Sequence, residues 1–384
     1  MSISIKRLFS LIIYFPLAII FRIFSIKIPY FHTERIGHLV VDPESFLKAY
    51  FLKNQKFPRC ILLAPINKTA NQKLLDYWKK YFFVIKNKFF CRFLSPLCFH
   101  PLLKSDEKFA ASIDDTSSIY SINAKWADKE PLLSISKEDL KFGKNALLDL
   151  GLNNEDWFVC VHSRDRGYSP SDEHLHSFRN TNIEDYLEAI EYIISKGGKC
   201  IRMGDSTMRP APKLNGLIDY ALSPFKSEQM DIFLCSQCLF FLGGNSGIFE
   251  LSSLFGRPVA IANMAPMSIV ARGSEDISIP MNYADEHSGE LIDYKSIMES
   301  SKSNYRTSND FIDAGISLIP NTPYEIKELA EEQFLKINNA YKSNDEDIIL
   351  QHRYKAMFRP GHYGYGFSSK IGEKFLKRYS RLIP

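Results

Sequence analysis

No acidic residue appears before Glu34. The chain also lacks a Walker-A lysine after a glycine loop and lacks G-x-G-x-x-G spacing. Those absences exclude the two commonest phosphate-loop fingerprints. Cys235 and Cys238 form a C-x-x-C, but no second pair and no clustered histidine completes a zinc set, so they read as core thiols. Seven cysteines, an odd number lying in apolar stretches, read as reduced, buried thiols of a cytosolic protein. No internal repeat or low-complexity tract stands out. The charge balance is nearly even, with 48 basic and 44 acidic residues for a net +4. That mildly basic balance does not argue for nucleic acid and suits an anionic membrane surface or an anionic ligand.

The chain is ordinary in other respects. Its 384 residues suggest two domains, and 45% apolar and 24% charged residues are globular values. The most apolar stretch is Leu8 to Ile28, preceded by Lys6 and Arg7 and interrupted by Pro16, Arg22 and Lys27. A spanning helix wants about 20 residues with few charges, and Arg22 spoils that. On a helical wheel Lys6, Arg7, Ser10, Tyr14, Arg22 and Ser25 fall loosely on one side. The stretch therefore reads as an in-plane amphipathic anchor on the cytoplasmic leaflet. A spanning anchor and a buried domain helix are the alternatives. A signal peptide lacks its small-residue cleavage site.

Further on, Asp42-Pro43-Glu44 predicts the start of a helix running to about Leu52. Arg59 to Ala64 reads as a buried strand, Gln72 to Tyr81 as a helix and Phe82 to Ile85 as a strand. The polar loop between the first two carries Lys68 and Asn71. Glu138 to Leu150 predicts a helix closed by Gly151, and a domain boundary is placed there. Trp157 to His162 is a short strand, followed by Ser163-Arg164-Asp165-Arg166-Gly167-Tyr168 and a long polar loop to Asn180. Asn182 to Ser195 is a helix with Ile183, Leu187, Ile190 and Ile194 on one face. Lys199 to Met203 is a strand ending in Gly204-Asp205. Ile218 to Ala221 is a short strand segment, and Gln229 to Ser236 a helix.

The pattern centres on Gly243-Gly244-Asn245-Ser246-Gly247. The apolar run Cys238 to Leu242 enters it as a strand, and a helix is expected from Ser246, whose hydroxyl suits an N-cap. Gly256 and Pro258 end that helix, and Val259 to Ala262 is the next buried strand. Strand, turn, helix and strand recur across 157–262 as a doubly wound parallel sheet. After Pro266 the chain reads as loop-rich to about Tyr305. Helices are expected over Phe311 to Ile316, Tyr324 to Tyr341, Asp345 to Met357 and, as a basic tail, Ser369 to Leu382.

The strand-end loops of the second half concentrate polar groups. Arg164, Asp165, Arg166 and Tyr168 leave one strand, and Arg202, Gly204 and Asp205 leave the next. Lys226, Ser227 and Glu228 open one helix, and Asn245, Ser246 and Gly247 open another. In one parallel sheet these loops face a single crevice, where guanidinium forks and helix-terminal N–H groups suit a diphosphate. Asp205 or Glu228 suits ribose hydroxyls. The competing reading of Arg164-Asp165 is a local ion pair holding the loop.

Several stretches here resemble a sequence-defined family of bacterial glycosyltransferases. They are Val161 to Tyr168, Phe178 to Tyr186, Gly197 to Gly204, Asp219-Tyr220, Lys226-Ser227, Phe241 to Gly247, Leu254 to Pro258 and, near the start, Arg35 to Leu39. The likeness covers most of the chain and is densest at 157–266. The wider similarity is to GT-B transferases, including heptosyltransferases and fucosyltransferases. In those enzymes a His-x-Arg strand end and a Ser-Gly helix start bind the donor diphosphate.

The resemblance implies an α/β fold of two Rossmann-like domains facing a cleft, after an N-terminal apolar or amphipathic helix. The domains expected are a membrane-associating helix over 1–30, an acceptor domain over 31–150, a nucleotide-sugar domain over 151–345 and a helical tail over 346–384. The implied function is transfer of a sugar from a nucleotide-sugar donor to a glycan or lipid-linked acceptor in surface polysaccharide or lipopolysaccharide assembly. The expected location is cytoplasmic, peripheral on the inner face of the cell membrane, with no nucleic-acid partner. No D-x-D motif ends a strand (Asp114-Asp115 and Asp345-Glu346-Asp347 lie in polar helix or loop), so transfer without a bound metal or cofactor is expected. The candidate general bases are Asp165 and His162, with His38 third. A non-catalytic polysaccharide-binding or scaffold subunit is the second hypothesis. A nucleotide-dependent oxidoreductase is a third, disfavoured by the missing glycine fingerprint.

Overall fold

The computed structural model describes residues 5–54, 57–103, 113–127, 129–153, 155–165, 167 and 173–384. The chain forms two compact units, Met1–Asp115 and Thr116–Pro384. Each is a mixed α/β structure built on a parallel sheet.

The first unit runs α1 (Ile5–Ile23), β1 (Ile26–Lys27), α2 (Ile36–Leu52), β2 (Arg59–Leu63), α3 (Gln72–Trp78), β3 (Phe82–Ile85) and α4 (Lys88–Leu94), then two 3-10 turns over Ser95–Phe99 and Pro101–Leu103. Its three strands pair in parallel in the order β1-β2-β3. The α3 helix starts where expected, because the Asn71 side chain accepts from the Leu74 N–H at 2.8 Å. The α2 helix does not start where expected. It begins at Ile36, and Pro43 lies inside it. A proline there has no N–H for the carbonyl four residues back, which is that of Leu39. The indole Nε1 of Trp78 donates to that carbonyl at 3.0 Å. Leu39 and Trp78 are both fully buried, so a side chain from α3 supplies the donor that the proline removes.

The second unit opens with α5 (Ile113–Trp126) at its edge and α6 (Lys137–Asp149), followed by β4 (Phe158–His162), α7 (Glu173–His176), α8 (Leu187–Ser195), β5 (Lys199–Arg202) and β6 (Leu217–Ile218). Then come α9 (Glu228–Gln237), β7 (Phe241–Gly243), α10 (Phe249–Leu254), β8 (Val259–Met264), β9 (Ile277–Pro280), β10 (Asn282–Asp285) and α11 (Tyr294–Met298). The chain closes with α12 (Ser308–Asp313), β11 (Ile316–Ile319), α13 (Pro323–Ile337), α14 (Asp345–Ala356), β12 (Lys370–Ile371) and α15 (Glu373–Arg378). Seven strands form one sheet in the order β12-β9-β8-β7-β4-β5-β6, every pair parallel. A separate antiparallel pair joins β10 to β11. Strands covered on both faces read as continuous apolar runs. That is why Val159, Cys160 and Val161 in β4 and Val259 to Ala262 in β8 are all fully buried. All seven cysteines are free thiols, six buried and Cys98 half-buried.

Sequence expectations for the second unit change as well. The stretch 266–305, expected to be loop-rich, contains β9, β10 and α11. Four-residue strands beside Pro280 give too little pattern to read, and β9 depends on Asp276, whose carboxylate accepts from the Val259 N–H at 3.0 Å and the Gly273 N–H at 2.6 Å. The helix expected from Ser246 starts at Phe249 and lasts six residues, with no side-chain cap. The basic tail is not one helix: β12 adds to the sheet edge beside β9 before the short α15.

The Pro43–Trp78 arrangement is testable. Trp78→Phe leaves a buried carbonyl without its donor, a cost of about 1–3 kcal/mol beyond the lost packing. Pro43→Ala returns an N–H to Leu39. Denaturant unfolding of the double-mutant cycle should therefore show Trp78→Phe costing less in the Pro43→Ala background, by roughly 1 kcal/mol. Strict additivity would refute the compensation.

Candidate functional site

In an open parallel sheet, the crevice lies outside the carboxyl ends of the strands where the order reverses. Here the chain goes from β4 outward to β5 and β6, then returns through α9 to β7 on the other side of β4. The reversal falls between β4 and β7, and His162 sits opposite Gly243 in their register. The loop after β4 carries Ser163, Arg164 and Asp165. The turn after β7 carries Gly244, Asn245, Ser246 and Gly247. Arg166 and Tyr168 lie outside the described residues.

The β7 turn is held from several sides. The Gly244 N–H donates to the His162 carbonyl at 3.2 Å. The Asn245 side-chain amide donates to the Ala265 carbonyl at 2.6 Å. Arg179 donates from Nε to the Asn245 carbonyl at 2.8 Å. One polar group in the turn is unmatched: the Ser246 hydroxyl is buried with no hydrogen-bond partner among the described residues. Buried polar atoms are nearly always paired, so this one calls for an explanation.

Arg164 is 8% exposed. Its guanidinium donates to the His176 carbonyl at 3.2 Å and to the Asn180 side-chain oxygen, with Glu173 Oε2 at 3.9 Å. Asn180 in turn donates to Glu173 at 2.6 Å. Arg164 thus ties the β4 loop to the segment 173–180, and Arg179 ties that segment to the β7 turn. Asp165 faces the β5 side: its Oδ1 accepts from the Gly167 N–H at 3.2 Å, and its Oδ2 accepts from the Arg209 N–H at 3.3 Å. Among the described residues, Glu173 lies 3.9 Å from the Arg164 guanidinium and the Arg209 guanidinium lies 3.7 Å from Asp165.

His162 donates from Nδ1 to the Met203 carbonyl at 3.0 Å, since a carbonyl only accepts. The neutral ring then keeps its lone pair on Nε2. Loss of water around the ring, helped by the charges of Arg202 and Arg164, lowers its pKa to about 4. At that pKa the neutral ring is no stronger a base than an ordinary carboxylate, so basicity does not separate His162 from Asp165.

The other predicted residues separate from this cluster. Arg202 is 1% exposed and engaged internally, donating to the Arg209 carbonyl at 2.7 Å and to Asp219 at 3.2 Å. Gly204 has φ of +153°, and a Cβ there would meet the Met208 sulfur at 1.9 Å, so its role is conformational. Asp205 accepts from the Thr207 N–H at 2.8 Å and the Thr207 hydroxyl at 2.5 Å, closing its own turn. Lys226 pairs with Asp231, at 2.5 Å to its Oδ1. Ser227 caps α9 by accepting from the Met230 N–H at 3.2 Å, and Glu228 stands in that helix's first turn. These three follow the edge strand β6, about 10 Å from β4 at ordinary strand spacing.

The structure also adds residues. Arg179, Asn180 and Glu173 brace the two loops. Thr181 and Tyr186 line the back of Gly244, where a Cβ would come 3.1 Å from the Tyr186 hydroxyl and 3.5 Å from that of Thr181. Arg179 to Tyr186 belong to a stretch that carries the family resemblance, and that was the available signal. No group of His, Cys, Asp and Glu able to hold a metal ion is present among the described residues.

No protein-family model matches the chain, and no curated protein does. Solved structures that are similar include the glycosyl transferase family 9 protein of Veillonella parvula, at 11% identity over 78% of this chain and 79% of that one, with a TM-score of 0.37. The ADP-heptose LPS heptosyltransferase II of E. coli is 12% identical over 62% and 83%, with a TM-score of 0.33. TibC of enterotoxigenic E. coli is a dodecameric iron-containing heptosyltransferase solved with ADP-D-β-D-heptose. It is 14% identical over 62% and 57%, with a TM-score of 0.35. Likenesses this distant leave the chemistry to the chain's own residues.

The His162 environment predicts a pH effect. The unfolded ring titrates near 6.5 and the folded ring near 4. Between these values the unfolded chain binds the extra proton, so stability is whole above about pH 6.5 and falls as the pH drops toward 4. The full effect is roughly 3 kcal/mol. His162→Asn keeps a donor for the Met203 carbonyl and removes the titration. Urea unfolding at pH 7 and pH 5 should show a shallower acid loss in this variant than in the wild type. Equal slopes would show that the ring is not withdrawn from water.

Proposed function

We propose that the chain is a glycosyltransferase that moves a sugar from a nucleotide-sugar donor to a glycan or glycolipid acceptor in bacterial surface polysaccharide assembly. The observation that carries this reading is the β4–β7 switch point. There the His-x-Arg strand end and the Asn-Ser-Gly turn adjoin, and the Ser246 hydroxyl waits buried without a partner among the described residues. In this reading the donor diphosphate lies at the β7 turn and takes the hydrogen bond of Ser246. The guanidinium groups of Arg164 and Arg179 offset the charge of the leaving diphosphate, so the reaction proceeds by positioning and charge stabilisation, without a metal or other cofactor. Asp165 accepts the proton of the acceptor hydroxyl. The GT-B arrangement assigns the acceptor to the N-terminal Rossmann-like domain (31–150) and the donor to the C-terminal one (151–345). The acceptor's lipid places the chain at the inner face of the cell membrane, held there by residues 8–28.

One observation favours the second reading, a binding or scaffold subunit with a degenerate transferase fold. Arg202 and Lys226, two of the cations expected on the donor, are engaged with Asp219 and Asp231. A thermal-shift screen against UDP, GDP, ADP, CMP, TDP and their sugar conjugates separates the two. A ligand at 100 times its Kd should stabilise the fold by about 2.7 kcal/mol. Ser246→Ala should leave the ligand-free midpoint unchanged or raised, because it removes an unsatisfied hydroxyl, yet shrink the nucleotide-dependent shift. Release of the nucleoside diphosphate on adding acceptor then tests turnover. No shift with any nucleotide, in a folded sample, rejects the transferase in favour of the scaffold.

A further inference from the structure

Twelve of the twenty-three large apolar side chains that stand exposed among the described residues fall within 12–30 and 89–99, less than a tenth of the chain. All belong to the first unit. The inward stripe of α1 is ordinary: Tyr14, Leu17, Ala18 and Phe21, at helical spacing, pack with Leu94, Leu97 and Leu103. The outward side is not. A surface helix carries charge there, but Ile12 is 65% and Ile23 is 71% exposed, and Arg22 is the single charged residue between Ser10 and Phe24. Phe89 on α4 is 70% exposed.

The two segments join through touching rings. Tyr14 meets Phe93 at 5.7 Å, Phe93 stacks on Phe89 at 6.4 Å, and Tyr30 meets Phe99 at 5.0 Å. His100 contacts the Leu11 carbonyl at 3.4 Å. Charge follows the same pattern. No acid precedes Glu34, and none lies between Asp76 and Asp106, while Arg22, Lys27, Lys88 and Arg92 flank the apolar side chains.

We infer that α1 and the 88–99 segment form one docking face for an anionic lipid bilayer, with α1 lying in the plane of the headgroups. The inference rests on the membrane-associated part of the reading above and adds a second insertion element, α4 with its following 3-10 turn. Three observations select a bilayer surface as the occupant. Basic side chains without acids attract anionic headgroups and repel the same face of a second copy. No helix among the described residues is long and apolar enough to cross a membrane. The inward stripe of α1 is already committed to the unit's own core, which holds the helix on the protein while its outer side enters the interface.

Vesicle sedimentation of the full chain tests this, with phosphatidylcholine alone or mixed with phosphatidylglycerol. The protein should pellet with the anionic vesicles and be released by high salt. Ile12→Glu with Ile20→Glu, and separately Phe89→Glu with Phe90→Glu, should each weaken binding by about tenfold or more. The nucleotide-induced thermal shift should remain, so failure here is distinct from failure of the transferase reading. Phe89→Trp, a conservative change, should show blue-shifted emission on anionic vesicles. Wild-type binding by the Phe89/Phe90 variant, or unshifted emission from the Phe89→Trp variant, overturns the second element. Resistance to salt and alkaline extraction overturns the in-plane geometry in favour of spanning. A dimer in light scattering that the Phe89/Phe90 variant dissociates, without vesicle binding, assigns the face to a second copy and overturns the inference.

Discussion

His162 lies opposite Gly243 where β4 and β7 end together, and a Cβ at Gly243 would come 2.7 Å from the His162 carbonyl oxygen. Only glycine lets the two strands close at that point. Because they do, the chain can leave β4 for one half of the sheet and return to β7 for the other, with both exits side by side. Everything polar at the site follows from that approach. The Gly244 N–H reaches back to the His162 carbonyl, the β7 turn falls within reach of Arg179, and the β4 loop folds over to meet Asn180 through Arg164. The result is two short loops stitched by a third segment, and stitched loops hold a ligand geometry at lower entropic cost than free ones.

The position of these loops was legible in the sequence, because strand, small-residue turn and helix repeat with a clear change of period. The task of each charge was not. Arg202 and Arg164 look alike in sequence, since both follow an apolar run. Arg202 lies inside the fold with Asp219 as its partner 17 residues on, whereas Arg164 braces the rim of the crevice. A buried guanidinium must be paired, and its partner is chosen by the sheet, not by neighbours in the chain. Lys226 is similar, held by Asp231: burial raises the pKa of that carboxyl, and the lysine beside it opposes the shift. Residue type marks a cation as valuable without saying whether the fold or a ligand uses it.

Local rules failed where a distant group overrode them. Proline at the first helical turn is a sound start signal, and it misplaced α2 because Trp78, 39 residues from Leu39, supplies the missing donor. The strand β12 is two residues long and carries no pattern of its own; it exists because β9 offers an open edge. The N-terminal helix misled in another way. Its polar residues suggested one wet side, yet Tyr14 packs inward while Ile12, Ile19 and Ile20 point out. The helix is apolar on its outward side as well as on the side that packs into the unit.

Ser246 is one of three hydroxyls around the β7 turn with no partner among the described residues; those of Thr181 and Tyr186, behind Gly244, are the others. Around it, Asn245, Arg179, Asn180 and Arg164 have their hydrogen bonds, so the site is not loosely built. The helix that follows is six residues long and begins two residues beyond the turn, too short and too late for the hydroxyl to act as its cap. A lone hydroxyl buried in apolar surroundings costs about 1–3 kcal/mol. A fold that pairs its other turn atoms could have placed alanine there at no structural loss. Retaining the hydroxyl makes sense if something that enters from outside the chain completes it. In the proposed reading, an oxygen-rich, anionic group at the carboxyl edge of the sheet meets that requirement.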